Sequence, residues 1–249
     1  MLRVLFAYVA GAMVTGWYAS KAALYSLLRM DSRLCRECDA IQRRWAKAML
    51  WLTGCRVRVE GGEHLGERGG RIIVCNHQSW FDVFALTAYL PTSVKFVTKA
   101  ELGAVPIFGR AWKGCGHVSI DRGDHAGAIE SLDAAGRRIR DEGITIVMFA
   151  EGTRSRSGEL QRFKKGAFVL AIQGGVPIVP VGMLGTYRMM PKGSFRFRPG
   201  EIVIRVGEPI RVDGLTHEDR DILRDRTWSA VAELKGDGPE AGALENQAN

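Results

Sequence analysis

Two residues five positions apart, His77 and Asp82, are the first feature of this sequence that could do chemistry. An Asp that accepts the Nδ1 proton of an imidazole fixes its tautomer and leaves Nε2 free to take a proton. The sequence contains no Gly-x-Ser-x-Gly nucleophile elbow. The pair therefore predicts a general base that activates a hydroxyl of the substrate. A helix cap or a satisfied buried polar group is the structural alternative.

A second group of candidate functional residues follows a predicted strand at residues 144–149, and its sequence is Glu151-Gly152-Thr153-Arg154. Open α/β sheets bind ligands outside the carboxyl ends of their strands. Arg154 can hold phosphate oxygens through two hydrogen bonds, and Gly152 lets the backbone approach a ligand closely. Glu151 could bind a substrate hydroxyl or hold Arg154 in place. The string predicts an anion-binding loop, with a structural ion pair at a turn as the alternative.

Two further cations, Lys99 and Arg122, each follow a predicted strand. If those strands are parallel, their carboxyl ends meet at one edge of the sheet. We expect both side chains to converge with Arg154 on one anionic group. A solvated surface charge is the alternative for each of them.

The elements that must position these residues alternate between strand and helix after Gly54. Apolar runs and turn residues predict strands at 56–60, 71–75, 94–98, 117–120, 144–149, 176–181 and 202–206, and helices at 79–90 and 124–142. This alternation predicts an α/β fold with a mostly parallel central sheet flanked by helices. His77 then lies in the turn between a buried strand and a helix.

The segment before residue 55 has a different character. Residues 4–19 are uncharged and mostly apolar, and the apolar character resumes after Lys21 as far as Leu28. A helix of residues 4–19 would be roughly 24 Å long, short of the ~30 Å hydrocarbon core, whereas one reaching Leu28 could span it. Spanning, partial insertion, a cleaved signal peptide and a buried soluble helix are all compatible with this pattern. Residues 37–52 predict a basic amphipathic helix that packs on the core or lies on anionic lipid.

Length and charge bound the remaining possibilities. A chain of 249 residues with 46% hydrophobic residues suits one domain with an added N-terminal segment. We expect a membrane attachment at residues 1–54, the domain itself at 55–234 and a disordered tail at 235–249. The net charge of +8 predicts an anionic partner. The sequence has no P-loop, zinc finger or RNP motif, which argues against nucleic acid as that partner. A basic protein that binds lipid without catalytic activity is an alternative. Five cysteines, an odd number, favour a reducing compartment.

Four ordered blocks of this sequence resemble the 1-acylglycerol-3-phosphate O-acyltransferase family of glycerolipid acyltransferases. The blocks are Asn76-His77 with Asp82 (a His-x4-Asp motif), residues 116–122, residues 149–155 and residues 176–181, with 99–102 and 106–109 between the first two. The likeness covers roughly residues 70–185. Ala150 stands where many members have Pro, and Ser119 where many have an aromatic residue, which leaves the subfamily and hence the acceptor open.

The resemblance implies a role for each matching residue. His77 and Asp82 would be catalytic, and Pro177 would belong to a block associated with acyl-donor binding. The remaining matches would bind the acceptor, and they are Lys99, Arg122, Glu151, Gly152, Thr153 and Arg154. The resemblance also implies no metal and no cofactor, with acyl-CoA or an acyl carrier protein as the co-substrate.

The implied reaction moves a fatty acyl group to the free hydroxyl of a lysophospholipid. Transfer of the acyl group to 1-acylglycerol 3-phosphate would give phosphatidic acid in a membrane. A thioester donor indicates that the reaction takes place at the cytoplasmic face of that membrane. Glycerol 3-phosphate, other lysophospholipids and lyso-aminolipids are alternative acceptors within the same family. A thioesterase or esterase with Ser79 or Ser155 as nucleophile is the rival enzyme class.

Overall fold

The computed structural model describes four stretches of the chain, residues 2–28, 31–66, 69–120 and 125–236. Within these stretches the side chains of residues 2–3, 31–35, 99, 102, 120 and 125–133 are not part of the description. Arg122 and the predicted disordered tail beyond residue 236 lie outside the described residues.

The described residues form one seven-stranded sheet. Its strands are β1 (Arg56–Glu60), β2 (Arg71–Cys75), β3 (Val94–Lys99), β4 (Val118–Ile120), β5 (Thr145–Met148), β6 (Ile178–Leu184) and β7 (Glu201–Val206). They lie in the order β1-β7-β6-β2-β5-β3-β4. Neighbouring strands are parallel except β6 and β7, which are antiparallel. The predicted mostly parallel α/β sheet is confirmed.

Helices cover both faces of this sheet. They are α1 (Leu2–Leu27), α2 (Asp31–Thr53), α3 (Trp80–Tyr89), α4 (Phe108–Gly114), α5 (His125–Glu142), α6 (Gly166–Gly174), α7 (Thr186–Met189) and α8 (Arg220–Lys235), with short 3-10 helices at Gly62–Leu65, Ala100–Ala104 and His217–Asp219. Buried residues of α2 and α3 share one core with one face of the sheet. Buried residues of α5, α6 and α8 form a second core on the other face.

Strand β2 lies near the centre of the sheet and is buried on both faces. Ile73 packs in the core beneath α2 and α3, whereas Ile72 and Val74 pack beneath α5, α6 and α8. This alternation follows from the two-residue period of a strand, and a strand covered on both faces reads as a continuous apolar run. Because β2 and β5 are parallel neighbours, the segments after Cys75 and Met148 emerge at the same edge.

The two N-terminal helices pack against each other as an antiparallel pair. Trp45 Nε1 donates to Thr15 Oγ1 at 3.1 Å. One turn towards the N-terminus of α1, a Cβ on Gly11 would lie 3.2 Å from the Met49 side chain, so a glycine permits this close contact. Among the described residues, no helix combines the length and the apolar character needed to cross a membrane.

Candidate functional site

His77 and Asp82 form the predicted pair. His77 Nδ1 lies 2.8 Å from Asp82 Oδ2, and the same oxygen accepts hydrogen bonds from the backbone N–H groups of Gln78 and Ser79. Because an ionised carboxylate can only accept, Nδ1 carries the imidazole proton and Nε2 has a free lone pair. Within the described residues Nε2 makes no hydrogen bond, and 16% of the side chain is exposed. This geometry is compatible with the predicted general base.

The local sequence builds this pair through a helix cap. Ser79 is the N-cap of α3, where its hydroxyl accepts from Phe81 N and the Asp82 carboxylate accepts from Ser79 N. Such a capping box satisfies backbone donors that a helix start leaves unpaired. Asp82 is fully buried and serves both in the capping box and as the partner of His77. The geometry is compatible with both the structural and the catalytic interpretation of Asp82, and its catalytic role stays a prediction.

Aromatic packing fixes the plane of the imidazole. The His77 ring stacks on Phe149, with ring centroids 3.8 Å apart and an angle of 16° between the planes. Phe149 in turn stacks on Phe96, with centroids 6.2 Å apart. Phe149, the residue that follows β5, thus packs flat against the imidazole of His77 and holds its orientation.

Glu151 positions the backbone of His77. One carboxylate oxygen accepts from His77 N at 2.6 Å, and the other accepts from Gln161 N and Nε2 at 3.1 and 2.9 Å. Glu151 is 4% exposed. Among the described residues no hydrogen bond or salt bridge joins Glu151 to Arg154, and the expectation that Glu151 binds a substrate hydroxyl stays a prediction. Gln161, which the sequence analysis missed, completes the contact.

Burial raises the pKa of Glu151 to about 7, against the hydrogen bonds from His77 and Gln161, which lower it. A carboxyl group with a raised pKa in the folded state binds more protons there than in the unfolded chain, so stability falls as pH rises from about 4.5 towards 7. Glu151→Gln has no carboxyl group to titrate at this position. Between low and high pH in this window, we expect the unfolding free energy of the unchanged protein to fall by roughly 3 kcal/mol more than the unfolding free energy of Glu151→Gln. Urea unfolding at pH 5 and pH 8 measures the difference, and parallel pH profiles would contradict it.

The loop after Glu151 passes close to His77. Ser155 N donates to the His77 carbonyl oxygen at 2.7 Å. Gly152 has a φ of +76°, a conformation that glycine adopts without strain. A Cβ at Gly152 would lie 2.8 Å from Lys164 Cε, so the Lys164 side chain crosses directly over this glycine. The predicted roles of Gly152 and Thr153 in substrate binding stay predictions.

Arg154 lies half-buried beside an aromatic ring. Its guanidinium is 5.4 Å from the centre of the Trp80 ring, a cation–π distance. Burial lowers the pKa of Arg154. Trp80 was missed by the sequence analysis, although it directly follows Ser79. Residues Arg154 and Trp80 also line one groove with α1, α2, α3 and the segment after α7, a cavity of about 330 Å³ with mostly apolar walls.

The two candidate serine nucleophiles point elsewhere. Ser79 Oγ donates to the Met190 carbonyl at 2.9 Å. Ser155 is buried, and its Oγ accepts from Gly158 N at 3.1 Å. Neither hydroxyl hydrogen-bonds to His77 in the described part of the chain. The geometry gives no support to the hydrolase alternative.

Three other predicted residues are not brought to this site by the described structure. Lys99 ends β3, but its side chain is not described, and Arg122 lies outside the described residues. Their convergence with Arg154 stays a prediction. Pro177 precedes β6, whose Ile178 is level with Ile72 on β2, so it lies at the edge of the sheet opposite His77. Pro177 lines a separate cavity at that edge, and its association with acyl-donor binding stays a prediction.

His117 packs in the core, as a single His beside a strand indicates. Its Nδ1 accepts from Phe96 N at 2.9 Å and its ring stacks on Trp112. Within the described ranges, no group of three or more His, Cys, Asp or Glu side chains could hold a metal ion.

Fold and site together define an α/β protein in which a buried carboxylate orients an imidazole beside a cationic loop, at the carboxyl edge of the sheet. The sequence model of the Acyltransferase family matches residues 56–184. The chain therefore belongs to the Acyltransferase family, as its resemblance predicted.

Named relatives agree with this assignment. The chain is 37% identical to "1-acyl-sn-glycerol-3-phosphate acyltransferase" of Limnanthes douglasii over 70% of this chain and 61% of that protein. It is 34% identical to the protein of the same name from Cocos nucifera over 69% of this chain and 55% of that one. The chain thus matches about three fifths of the length of these plant relatives.

A solved structure matches the whole fold. The crystal structure of the 1-acyl-sn-glycerophosphate (LPA) acyltransferase PlsC from Thermotoga maritima superposes with a TM-score of 0.78 at 28% identity. The superposition covers 94% of this chain and 95% of that chain, and so includes the N-terminal helices.

Proposed function

We propose that this protein transfers a fatty acyl group from a thioester donor to the free hydroxyl of 1-acylglycerol 3-phosphate, which gives phosphatidic acid. The observation that carries the proposal is the free Nε2 of His77, oriented through Nδ1 by the buried Asp82. The names of the relatives from Limnanthes and Thermotoga support the choice of reaction and acceptor.

The chemistry follows from the lone pair on His77 Nε2. Nε2 takes the proton of the acceptor hydroxyl while that oxygen attacks the thioester carbonyl carbon. The new C–O bond forms, the C–S bond breaks, and the departing thiolate takes the proton back from the imidazolium. Asp82 stabilises the imidazolium, as the carboxylate of a catalytic triad does. A positioned base of this kind contributes about 10² to 10⁴-fold to the rate.

The groove beside Arg154 suits an amphiphilic acceptor. Arg154 and Trp80 lie at the polar part, and Tyr8, Met49 and Phe84 contribute to the apolar walls. A phosphate held by the guanidinium would place the acyl chain of the acceptor along these walls. The proposal assigns Arg154 to the acceptor phosphate, and the donor is either acyl-CoA or an acyl carrier protein, since both present the same thioester.

One assay tests reaction class and acceptor together. Purified protein is incubated with a panel of lysophospholipids, a lyso-aminolipid and glycerol 3-phosphate, each with acyl-CoA or acylated carrier protein, and products are identified by mass spectrometry. We expect phosphatidic acid from 1-acylglycerol 3-phosphate. Release of free fatty acid at a rate independent of acceptor would instead identify a hydrolase, and no turnover together with lipid binding would identify a non-catalytic binder.

The proposal includes attachment of residues 1–54 to one leaflet of a membrane at its cytoplasmic face, with the acyltransferase domain at 55–234. The boundary coincides with the end of α2 at Thr53 and the start of β1 at Arg56. Helix α1 exposes a row of large apolar side chains, and those most exposed are Leu5, Phe6, Met13 and Trp17. Exposed contiguous apolar surface of this kind marks membrane or partner contacts.

We expect the double substitution Met13→Glu and Trp17→Glu to abolish binding to vesicles that contain anionic phospholipid. Both side chains are 71% exposed, so the change removes apolar surface without opening the core. Vesicle flotation measures the binding. Ile222→Glu, on exposed surface of α8, is the matched control and should float like the unchanged protein. Equal flotation of the double variant would contradict attachment through α1.

A further inference from the structure

The segment after α7 folds back onto the loop that carries Arg154. Ser79 Oγ donates to the Met190 carbonyl, which ties the start of this segment to the N-cap of α3. Two residues later, Lys192 Nζ donates to Thr153 Oγ1 at 2.8 Å and to the Arg154 carbonyl at 3.0 Å. Lys192 thus belongs to the same surface as the candidate anion-binding loop, from which it is 38 residues distant in sequence.

Three basic side chains surround this loop, namely Arg154, Lys164 and Lys192, which we call the cationic cluster. Lys164 N donates to the Ala150 carbonyl at 2.7 Å, and its side chain lies over Gly152. Lys192 and Arg154 are both half-buried. The cluster therefore concentrates positive charge around one short stretch of backbone.

Within the described residues no member of the cationic cluster forms a salt bridge. Two carboxylates lie close by. Asp82 holds the His77 ring, and burial lowers the pKa of Arg154 against the negative charge of Asp82, which raises it. Glu151 holds the His77 backbone and has a pKa raised to about 7. Like charges brought together and partly desolvated repel each other unless an anion neutralises them. Three cations stand against two carboxyl groups, one of which is partly protonated near neutral pH, so an excess of positive charge remains that an anionic ligand would neutralise.

The charge of the cluster indicates which anion fits. A phosphate monoester carries about 1.5 to 2 negative charges near neutral pH, whereas a phosphodiester carries one and a choline or ethanolamine headgroup is zwitterionic. An ammonium has three N–H donors, and Lys192 uses two of them on the loop. One donor and the full charge are left for a ligand held at Arg154.

We propose that Lys192 is an acceptor-binding residue that, with Arg154 and Lys164, selects a phosphate monoester headgroup over a phosphodiester or zwitterionic one. The inference rests on the proposed function and goes beyond it, because it names the residue that decides the acceptor headgroup. The three cations meet the monoester dianion. A zwitterionic headgroup would bring its own ammonium towards them.

The test compares Lys192→Met and Lys192→Arg with the unchanged protein on two acceptors, 1-acylglycerol 3-phosphate and 1-acylglycerol 3-phosphocholine. We expect Lys192→Met to raise the KM for the phosphate acceptor about tenfold, since a charge-assisted contact is lost. The KM for the phosphocholine acceptor and for the thioester donor should not change. Lys192→Arg should restore most of the preference. Lys113→Met, an exposed charge on α4, is the matched control.

A purely structural role gives a different result. If Lys192 only pins the loop, Lys192→Met lowers kcat with both acceptors equally and leaves their ratio unchanged, which would overturn the inference. If the unchanged protein acylates no acceptor, the proposed function fails, and titration with glycerol 3-phosphate in a calorimeter decides the question of Lys192. Weaker binding by Lys192→Met supports the site, and equal binding overturns it.

Discussion

Replacement of His77 by Ala is expected to lower the rate of acyl transfer by about 10² to 10⁴-fold, the range that a positioned base contributes. The loss should fall on kcat, because the imidazole acts on the proton in the transition state rather than on acceptor binding. The unfolding free energy of His77→Ala should fall only by the amount that the lost ring contact with Phe149 contributes. Asp82 keeps its two backbone donors in this variant.

The measurement is a steady-state assay with 1-acylglycerol 3-phosphate and the preferred thioester, alongside a urea unfolding curve. His117→Ala is an informative comparison, because that buried imidazole packs on Trp112 and has no part in the proposed chemistry. We expect it to lose stability rather than kcat in the folded fraction. Turnover of His77→Ala close to that of the unchanged protein would end the general-base assignment.

Replacement of Asp82 by Ala is expected to damage both catalysis and stability. The buried carboxylate oxygen Oδ2 accepts from Gln78 N, Ser79 N and His77 Nδ1, so its removal leaves buried donors unpaired and removes the Asp82 half of the capping box of α3. Loss of such a cap and of buried acceptors costs about 2 to 4 kcal/mol. Catalysis should fall as well, because the imidazole loses the partner that fixes its tautomer.

A second substitution separates the two effects. Asp82→Asn keeps an oxygen that can accept from the backbone donors but removes the negative charge that stabilises the imidazolium. We expect it to retain most of the stability that Asp82→Ala loses while its kcat stays more than about tenfold below that of the unchanged protein. An Asn variant with unchanged kcat would show that Asp82 acts only as a helix cap.

The fold was predictable where local patterns dominate. Continuous apolar runs such as residues 72–75 predict buried strands whatever surrounds them, and the predicted strands all exist within a few residues. Helices α6 and α8 were not predicted. The burial of their apolar residues depends on the sheet face that these helices cover. There Phe168 and Val231 pack in one core with Ile146.

The sequence by itself determined the chemistry that is local in the chain. His77 and Asp82 lie within one turn of the start of α3, so strand, cap and helix suffice to bring imidazole and carboxylate to 2.8 Å. The likeness to acyltransferases depends on short ordered blocks of this kind, and the family match over residues 56–184 confirms it.

Only the tertiary structure decided contacts between segments that are distant in sequence. Glu151 contacts the backbone of His77, which is 74 residues away in sequence, because the parallel strands before the two residues end at the same edge of the sheet. Lys192 contacts the loop of Arg154 because the segment after α7 passes over that edge. For the same reason Pro177, at the beginning of a strand parallel to β2, lies at the edge opposite His77. Strand order and direction, set by packing of the whole core, decide which ends of distant segments meet.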